Sequence, residues 1–207
     1  MVFQLDNRLW FPKTSLADDD GLLAVCGDLS TERLLLAYKN GIFPWYNQGE
    51  AIRWYSPHQR FVLLPNEIKI SKSMQQVLRS LKFNLTYNTE FKKVITLCAN
   101  TKRNQQNDTW IIPDMQAAYL NLHAQGYAHS VEVWYNGVLV GGLYGVIIGK
   151  VFIGESMFSL VNNASKIALI WVCKNLTINL IDCQMHTKHL ETMGAKMISR
   201  DEYMRYF

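Results

Sequence analysis

The stretch HSVEVWYNGVLVGGLYGVIIGKVFIGES, residues 129–156, decides the fold of this 207-residue chain. It holds three apolar runs, and Asn136-Gly137 separates the first run from the second. An Asn-Gly pair between apolar runs is a strong hairpin signal, because both residues adopt positive φ readily. A second turn at Gly149-Lys150 separates the last two runs. The stretch therefore predicts an antiparallel meander of three strands.

The segments on either side of the meander complete a mixed sheet. Before it, the pattern predicts helices near Ser71–Leu81, near Glu90–Ala99 and from Pro113 to Gln125. After it come a helix at 163–175, a strand at Leu180-Ile181, a short helix near His186–Met193 and a strand at Lys196–Ser199. A meander joined by a helix to a parallel neighbour predicts an α+β fold with a mixed α/β sheet.

This order of elements is typical of N-acyltransferases that use acetyl-CoA, the GNAT-like class. Those enzymes also need a pyrophosphate loop of the form Q/R-x-x-G-x-G/A between the central strand and its helix. The corresponding segment here, GESMFSLVNNASK (154–166), has a single glycine. We therefore expect a GNAT-like fold that takes a different acyl donor.

A smaller unit precedes this sheet. Ser30 is a helix N-cap residue, and the helix that it begins, Thr31–Asn40, ends at Gly41. The following segment, 41–65, is rich in turn residues and aromatics and ends in a predicted strand at Phe61–Leu64. Pro65, a residue that interrupts regular structure, marks the expected end of this unit. We expect a small N-terminal α/β domain over residues 1–62 and a GNAT-like transfer domain over 63–207.

Composition excludes several classes of protein. The chain is 49% hydrophobic and 18% charged, which suits a sizeable folded core. Its first residues lack the apolar region of a signal peptide, and no apolar run approaches the roughly 18 residues of a membrane span. The four cysteines are far apart and form no CxxC, which favours reduced thiols in the cytoplasm. His186 and His189 lack further ligands, so we expect no metal site.

Basic residues are concentrated in one segment, although the whole chain carries a net charge of only +4. The eight are Lys69, Lys72, Arg79, Lys82, Lys92, Lys93, Lys102 and Arg103. Glu90 is the one acidic residue among them. Such a segment could face a polyanion such as RNA, and two solvated helix faces would explain it equally well.

The strand at NLIDCQMH (179–186) runs into polar residues. A carboxylate and an amide are costly in an apolar strand unless other groups pair with them. Because side chains alternate along a strand, Asp182 and Gln184 should project from one face and Cys183 from the other. No histidine or lysine partner for a Cys183 thiolate is evident, so the two polar residues are the better candidates for chemistry.

Several blocks together resemble the bacterial leucyl/phenylalanyl-tRNA–protein transferases. They are GLLAVCGDLSTERLLLAYKNGIFPWY (21–46), WYSPHQRFVLLP (54–65), TWI (109–111), AYLNLHAQGYAHSVEVW (118–134), LVGGLYGVIIGKVFIGESMFS (139–159), NASKIAL (163–169), IDCQ (181–184) and HLETMGAK (189–196). The match covers about residues 20–200 in order. The family fold is a small N-terminal domain plus an acetyltransferase-like domain that uses aminoacyl-tRNA, which agrees with the missing CoA loop.

The resemblance implies a reaction and a set of site residues. The family moves Leu, Phe or sometimes Met from tRNA to the α-amine of a protein that begins with Arg or Lys, which marks the product for degradation. Its proposed catalytic pair corresponds to Asp182 and Gln184. Asp182 would act as a late general base or would only position the amine. Glu155 would suit an acceptor whose first residue is Arg or Lys.

Substrate contacts are expected from further residues. Candidates for the apolar pocket of the donor side chain are Leu143, Phe152, Met157 and Phe158. Candidates for stacking on the terminal adenosine are Trp45, Trp110 and, more weakly, Tyr38. Lys69, Lys72, Arg79, Lys82, Lys92 and Lys93 would contact tRNA phosphates. We expect a cytoplasmic monomer without a cofactor. A CoA-dependent acetyltransferase and a noncatalytic RNA-binding module are the rival interpretations.

Overall fold

A computed structural model describes residues 2–101 and 110–207. The helices are α1 Thr31–Lys39, α2 Lys72–Arg79, α3 Phe91–Asn100, α4 Pro113–Ala124, α5 Ala164–Asn175, α6 Lys188–Thr192 and α7 Arg200–Met204. The first six strands are β1 Phe3–Leu5, β2 Leu22–Cys26, β3 Phe43–Pro44, β4 Arg53–Tyr55, β5 Gln59–Leu63 and β6 Asn84–Tyr87. The others are β7 Ala128–Tyr135, β8 Val138–Ile148, β9 Val151–Ser159, β10 Leu180–Gln184 and β11 Lys196–Ser199.

A seven-stranded mixed sheet has the order β11-β5-β10-β9-β8-β7-β6. The meander that the Asn-Gly turn predicts is confirmed as β7, β8 and β9, and Asn136 and Gly137 have φ values of 50° and 78°. β10 runs parallel to β9 after the crossover through α5, whereas the other neighbours in the sheet are antiparallel. The expected mixed α/β fold is therefore confirmed.

Helices cover both faces of this sheet. On the first, which we call the α4 face, α1, α3, α4 and α7 pack over residues such as Val62, Ile153 and Leu180. On the second, the α5 face, α2, α5 and α6 pack over Phe152 and Ile181. Neighbouring residues of β10 alternate between the two cores, as period two requires.

A second sheet of four strands, β1-β2-β4-β3, forms the N-terminal unit. Its buried residues, including Leu23 and Trp54, belong to the same core as the α4 face. β5 is not part of this unit, since it lies between β11 and β10 in the large sheet. A boundary between residues 62 and 63 therefore falls inside β5, and strand pairing favours a boundary just before Gln59.

The basic segment is divided by a strand that the sequence patterns did not predict. β6 pairs with β7 at the edge of the large sheet, between α2 and α3 in the chain. As a result α2 lies on the α5 face and α3 lies on the α4 face. The cluster is therefore not one continuous surface; Lys102 and Arg103 lie outside the described residues. No helix within the described ranges has the length and apolar character needed to cross a bilayer.

Candidate active site

The parallel ladder between β9 and β10 ends near the centre of the large sheet. This ladder has three residue pairs, and the last joins Asp182 to Ile153. Beyond that pair, Glu155 on β9 and Gln184 on β10 approach through their side chains, and Gln184 Nε2 donates to Glu155 Oε1 at 3.4 Å. The polar residues at and beyond the end of this ladder are the candidate site.

Asp182 is fully buried at 0% exposure. Its Oδ2 atom is bound by the guanidinium of Arg60 and accepts a hydrogen bond from the Tyr203 hydroxyl at 2.9 Å. Its Oδ1 atom accepts the backbone N–H of Gln184 at 3.0 Å. Both carboxylate oxygens are thus held by groups of the protein itself.

Arg60 joins three separate parts of the chain around Asp182. Its Nη1 donates to the carbonyl of Gly41, just beyond the end of α1, at 3.2 Å. Its guanidinium lies 4.9 Å from the ring centre of Phe43 and 4.5 Å from that of Tyr203. Burial alone lowers the pKa of Arg60, but the charge of Asp182 opposes it and the net pKa is raised. Arg60 therefore stays charged.

Glu155 is the second buried carboxylate of the site, and it has no basic partner among the described residues. Its Oε1 accepts a hydrogen bond from the Tyr38 hydroxyl at 2.7 Å, and that hydroxyl is 2.6 Å from the hydroxyl of Tyr119. Burial raises the pKa of Glu155 to about 7; the charge of Asp182 also raises it, while the tyrosine hydrogen bonds oppose the shift. Glu155 can therefore change its protonation near neutral pH.

Gln184 reaches this position through an irregular backbone. The pairing of β10 with β5 shifts between Asp182 and Gln184, and Gln184 has a φ of 59°. A left-handed residue other than glycine is uncommon and tends to occur where the surrounding structure enforces it. Here the enforcing contact is the hydrogen bond from its N–H to Asp182. Alternation alone would not have placed its amide against Glu155.

Cys183 lies on the opposite face, as alternation predicts. It packs against the core of the α5 face, away from Glu155. Burial raises the pKa of its thiol, with a further contribution from Asp182, so the thiol stays protonated near neutral pH. A nucleophilic role is disfavoured. The described residues also hold no group of three or more His, Cys, Asp or Glu side chains arranged for a metal ion.

Comparison with known proteins decides the family. The statistical model for the leucyl/phenylalanyl-tRNA protein transferase matches residues 62–207, and that for its N-terminal domain matches residues 27–58. The chain belongs to the leucyl/phenylalanyl-tRNA protein transferase family. It is accordingly an enzyme, an aminoacyl-tRNA-dependent transferase, and the resemblance drawn from its motifs is confirmed.

Relatives match over nearly the whole chain. A leucyl/phenylalanyl-tRNA–protein transferase of Syntrophobacter fumaroxidans is 53% identical over 98% of this chain and 88% of its own length. One of Flavobacterium johnsoniae is 52% identical over 98% of this chain and 97% of its own length. A solved GCN5-related N-acetyltransferase from Kribbella flavida aligns at 10% identity and a TM-score of 0.40, covering 77% of this chain and 57% of that protein. The fold assignment rests on the strand order itself.

The apolar candidates for a donor pocket in this transferase lie on two faces. Leu143, Phe152 and Met157 belong to the core of the α5 face, and Phe158 belongs to that of the α4 face. Met157 alone of the four is partly exposed. A Cβ atom at Gly145 would meet the ring of Phe152 at 2.6 Å, so the Phe152 ring packs directly over Gly145 on the α5 face. Its packing role is evident.

The three aromatic candidates differ in exposure. Trp45 is 38% exposed, and Trp110 is partly buried against the core of the α4 face. Tyr38 is only 1% exposed, so its ring offers no face to a base in the transferase family's substrate. The expectation that Tyr38 stacks on adenosine is therefore replaced by a contact of its hydroxyl with Glu155.

The basic candidates are all exposed side chains. Lys72 and Arg79 lie on α2, and Lys69 and Lys82 flank that helix. Lys92 and Lys93 lie on α3, on the other face of the sheet, and Lys93 is 2.7 Å from Glu90. These two sets cannot contact one stretch of tRNA backbone as a single surface, so they are separate candidates.

Three residues of the site were missed by sequence reasoning: Arg60, Tyr119 and Tyr203. A signal existed for Arg60, because it lies two residues before Val62, a core residue of the α4 face, and alternation therefore directs it to that buried face. Tyr119 and Tyr203 lie on helices whose local patterns do not distinguish a core tyrosine from a site tyrosine.

Proposed function

We propose that this transferase moves Leu or Phe, and less well Met, from aminoacyl-tRNA to the α-amine of proteins that begin with Arg or Lys. The product carries a new N-terminal residue that serves as a degradation signal. The observation that carries the site assignment is Glu155, a buried carboxylate with a pKa of about 7 opposite Gln184 beyond the end of the β9–β10 ladder. Family membership supports the donor and the reaction class.

The reaction is aminolysis of an ester. The amine nitrogen attacks the carbonyl carbon, the bond to the ribose oxygen breaks, and the amine's extra proton ends on that oxygen or on solvent. An α-amine has a pKa of about 8, so part of it is already neutral in the cell. Its nitrogen becomes strongly acidic only as the new bond forms, and a nearby base then accepts the proton.

Glu155 suits this role better than Asp182. Its pKa of about 7 is close to that of the amine, so it can both accept and release the proton near neutral pH. Asp182 is closed to solvent, and its two oxygens already bind Arg60, Tyr203 and the N–H of Gln184. We assign Asp182 to positioning Gln184 and to raising the pKa of Glu155. The Gln184 amide then orients Glu155 and the incoming amine.

This assignment changes the expected role of Glu155 toward the acceptor. A contact with the side chain of an N-terminal Arg or Lys would need an accessible carboxylate, and Glu155 is 7% exposed beneath Tyr38. The α-amine itself is small enough to reach it. We therefore place the α-amine, rather than the acceptor's basic side chain, against Glu155.

The donor side chain is apolar, and an apolar pocket discriminates poorly among Leu, Phe and Met. Leu143 and Met157 remain the pocket candidates on the α5 face, with Phe152 as their packing support. Trp45 and Trp110 remain the candidates for the terminal adenosine. Lys69, Lys72, Arg79 and Lys82 at α2 form one proposed phosphate surface, and Lys92 and Lys93 on α3 form an alternative one.

We place the reaction in the cytoplasm, where aminoacyl-tRNA is made, and we expect a monomer. Cys26, Cys173 and Cys183 form no disulfide within the described ranges, which fits a reducing compartment. A transfer assay tests the function: purified protein is mixed with labelled leucyl-tRNA and a peptide that begins with Arg. Label in the peptide supports the proposal. Transfer only from acetyl-CoA, or tRNA binding without transfer, would contradict it.

A further inference from the structure

The small sheet displays a strip of aromatic side chains on one face of β3 and β4. Phe43 lies directly opposite Tyr55 in the antiparallel register. Trp45 follows Phe43 by two residues and continues the ladder, since its N–H donates to the carbonyl of Arg53 at 2.9 Å. Period two places Phe43, Trp45 and Tyr55 on the same face. Trp54 points the other way and is fully buried in the core.

The three rings form a continuous surface. The ring centres of Phe43 and Tyr55 are 6.2 Å apart with the planes 24° from parallel, and those of Trp45 and Tyr55 are 5.8 Å apart. Trp45 is the most exposed of them, and the other two are half-buried. The Phe43 end of the strip borders the buried ion pair, because the Arg60 guanidinium that binds Asp182 lies 4.9 Å from the Phe43 ring.

A cation lies at the outer end of the strip. Arg53 is opposite Trp45, and its guanidinium is exposed and 3.6 Å from the Glu50 carboxylate. Both partners of that pair are partly exposed, so a phosphate can replace the carboxylate at little cost. Aromatic rings on a sheet face with an adjacent arginine are the combination on which single-stranded RNA stacks.

We propose that this strip binds the nucleotide that precedes the terminal adenosine of the aminoacyl-tRNA. Tyr55 stacks on the base of that nucleotide, and Arg53 binds the phosphate that links it to the adenosine. The inference rests on the proposed function, in which Trp45 takes the adenosine. The acceptor peptide is the less suitable occupant, because its positive first residue would meet the exposed guanidinium of Arg53. The positive charge of Arg53 therefore favours the negatively charged tRNA end over the acceptor peptide.

Three donors test the proposal: 3′-leucyl-adenosine, 3′-leucyl-cytidylyl-adenosine and leucyl-tRNA. The wild-type protein should use the dinucleotide with a higher kcat/KM than the adenosine ester. Tyr55→Leu keeps apolar volume in the strip but removes the aromatic face. It should lower kcat/KM about tenfold for the dinucleotide and for leucyl-tRNA, and less than about twofold for leucyl-adenosine. Arg53→Gln should likewise lower kcat/KM for the dinucleotide and for leucyl-tRNA more than for leucyl-adenosine. It should also reduce the salt dependence of kcat/KM for leucyl-tRNA.

Tyr135→Leu is the matched control, since Tyr135 is an exposed tyrosine next to the β7–β8 turn and far along the chain from the strip. This variant should leave kcat/KM unchanged for all three donors. Melting temperatures show whether each variant is folded. Equal losses of Tyr55→Leu on all donors, or a change confined to the KM of the acceptor peptide, would overturn the proposal. Transfer from leucyl-tRNA by the wild-type protein tests the function itself, so the two failures are distinguishable.

Discussion

Arg60 and Asp182 form an ion pair that is closed to solvent, with side-chain exposures of 2% and 0%. They lie on neighbouring strands of the large sheet, and the Tyr203 hydroxyl from the C-terminal helix completes the contacts of Asp182. Asp182 also accepts the backbone N–H of Gln184, a residue with a left-handed backbone conformation. The side-chain amide of Gln184 donates in turn to Glu155. In the function that we propose, Asp182 builds the site and Glu155 exchanges a proton.

Removing one member of the Arg60–Asp182 pair should destabilise the fold strongly. Arg60→Ala or Asp182→Ala leaves the other charge buried and unpaired, which costs about 3–5 kcal/mol of unfolding free energy. The double variant Arg60→Met/Asp182→Leu should cost less than the sum of the single changes. Urea unfolding measures all three. Glu67→Ala is the control, because the pair of Glu67 with Lys196 is half exposed and should contribute less than about 1 kcal/mol.

Glu155 should make the protein less stable as the pH rises. Its pKa is 4.5 as an unperturbed group and about 7 in the folded protein, so the folded state holds a proton that the unfolded state has lost. Unfolding free energy should therefore fall between pH 4.5 and 7 by up to about 3 kcal/mol from this group. Glu155→Gln should remove that decline and be more stable than the wild type at pH 8. Glu32→Gln, on the exposed surface of α1, is the control and should leave the pH dependence of the unfolding free energy unchanged.

The two basic helices should differ in their effect on tRNA. If α2 contacts the phosphates, Lys72→Glu/Arg79→Glu should weaken leucyl-tRNA binding and lower the salt slope by about one for each lost contact. Lys92→Glu/Lys93→Glu makes the same change of charge on the opposite face of the sheet. Binding titrations at several salt concentrations compare the two. A larger loss of leucyl-tRNA affinity in the α3 variant would indicate that the tRNA binds on the α4 face.

Cys183 should be dispensable for transfer. It lies on the α5 face with a protonated thiol, so Cys183→Ala should keep activity within about threefold and cost only packing energy. Steady-state transfer rates check this, with the melting temperature as a measure of folding. A folded Cys183→Ala variant without transfer activity would contradict this and would show that the thiol is needed for transfer.

The sequence revealed elements whose causes are local. Asn136-Gly137 predicted the β7–β8 hairpin because turn chemistry depends on two residues, and Ser30 capped α1 as expected. β6 was missed because it is a short edge strand with little apolar pattern. The predicted boundary between residues 62 and 63 divides β5, because the pairing of β5 with β10 and β11 depends on residues more than 100 positions away.

The site residues show the same contrast between features with local causes and features that depend on distant parts of the chain. Asp182, Gln184 and Glu155 were recognisable as polar residues in apolar strands. The contact of Arg60 with Asp182 spans 122 residues, and that of Tyr38 with Glu155 spans 117 residues. No local pattern reports such contacts. They decide that Asp182 is paired with an arginine and that the pKa of Glu155 is raised.

The pH dependence of transfer tests the central claim, that Glu155 exchanges the proton and Asp182 builds the site. Methoxyamine is neutral across the relevant range, so with it as the acceptor, kcat/KM should rise with an apparent pKa near 7 from Glu155 alone.

Asp182→Asn should keep this rise but move it to lower pH, because the charge of Asp182 raises the pKa of Glu155. Glu155→Gln should abolish it. Loss of the rise in Asp182→Asn, with the rise intact in Glu155→Gln, would contradict the account.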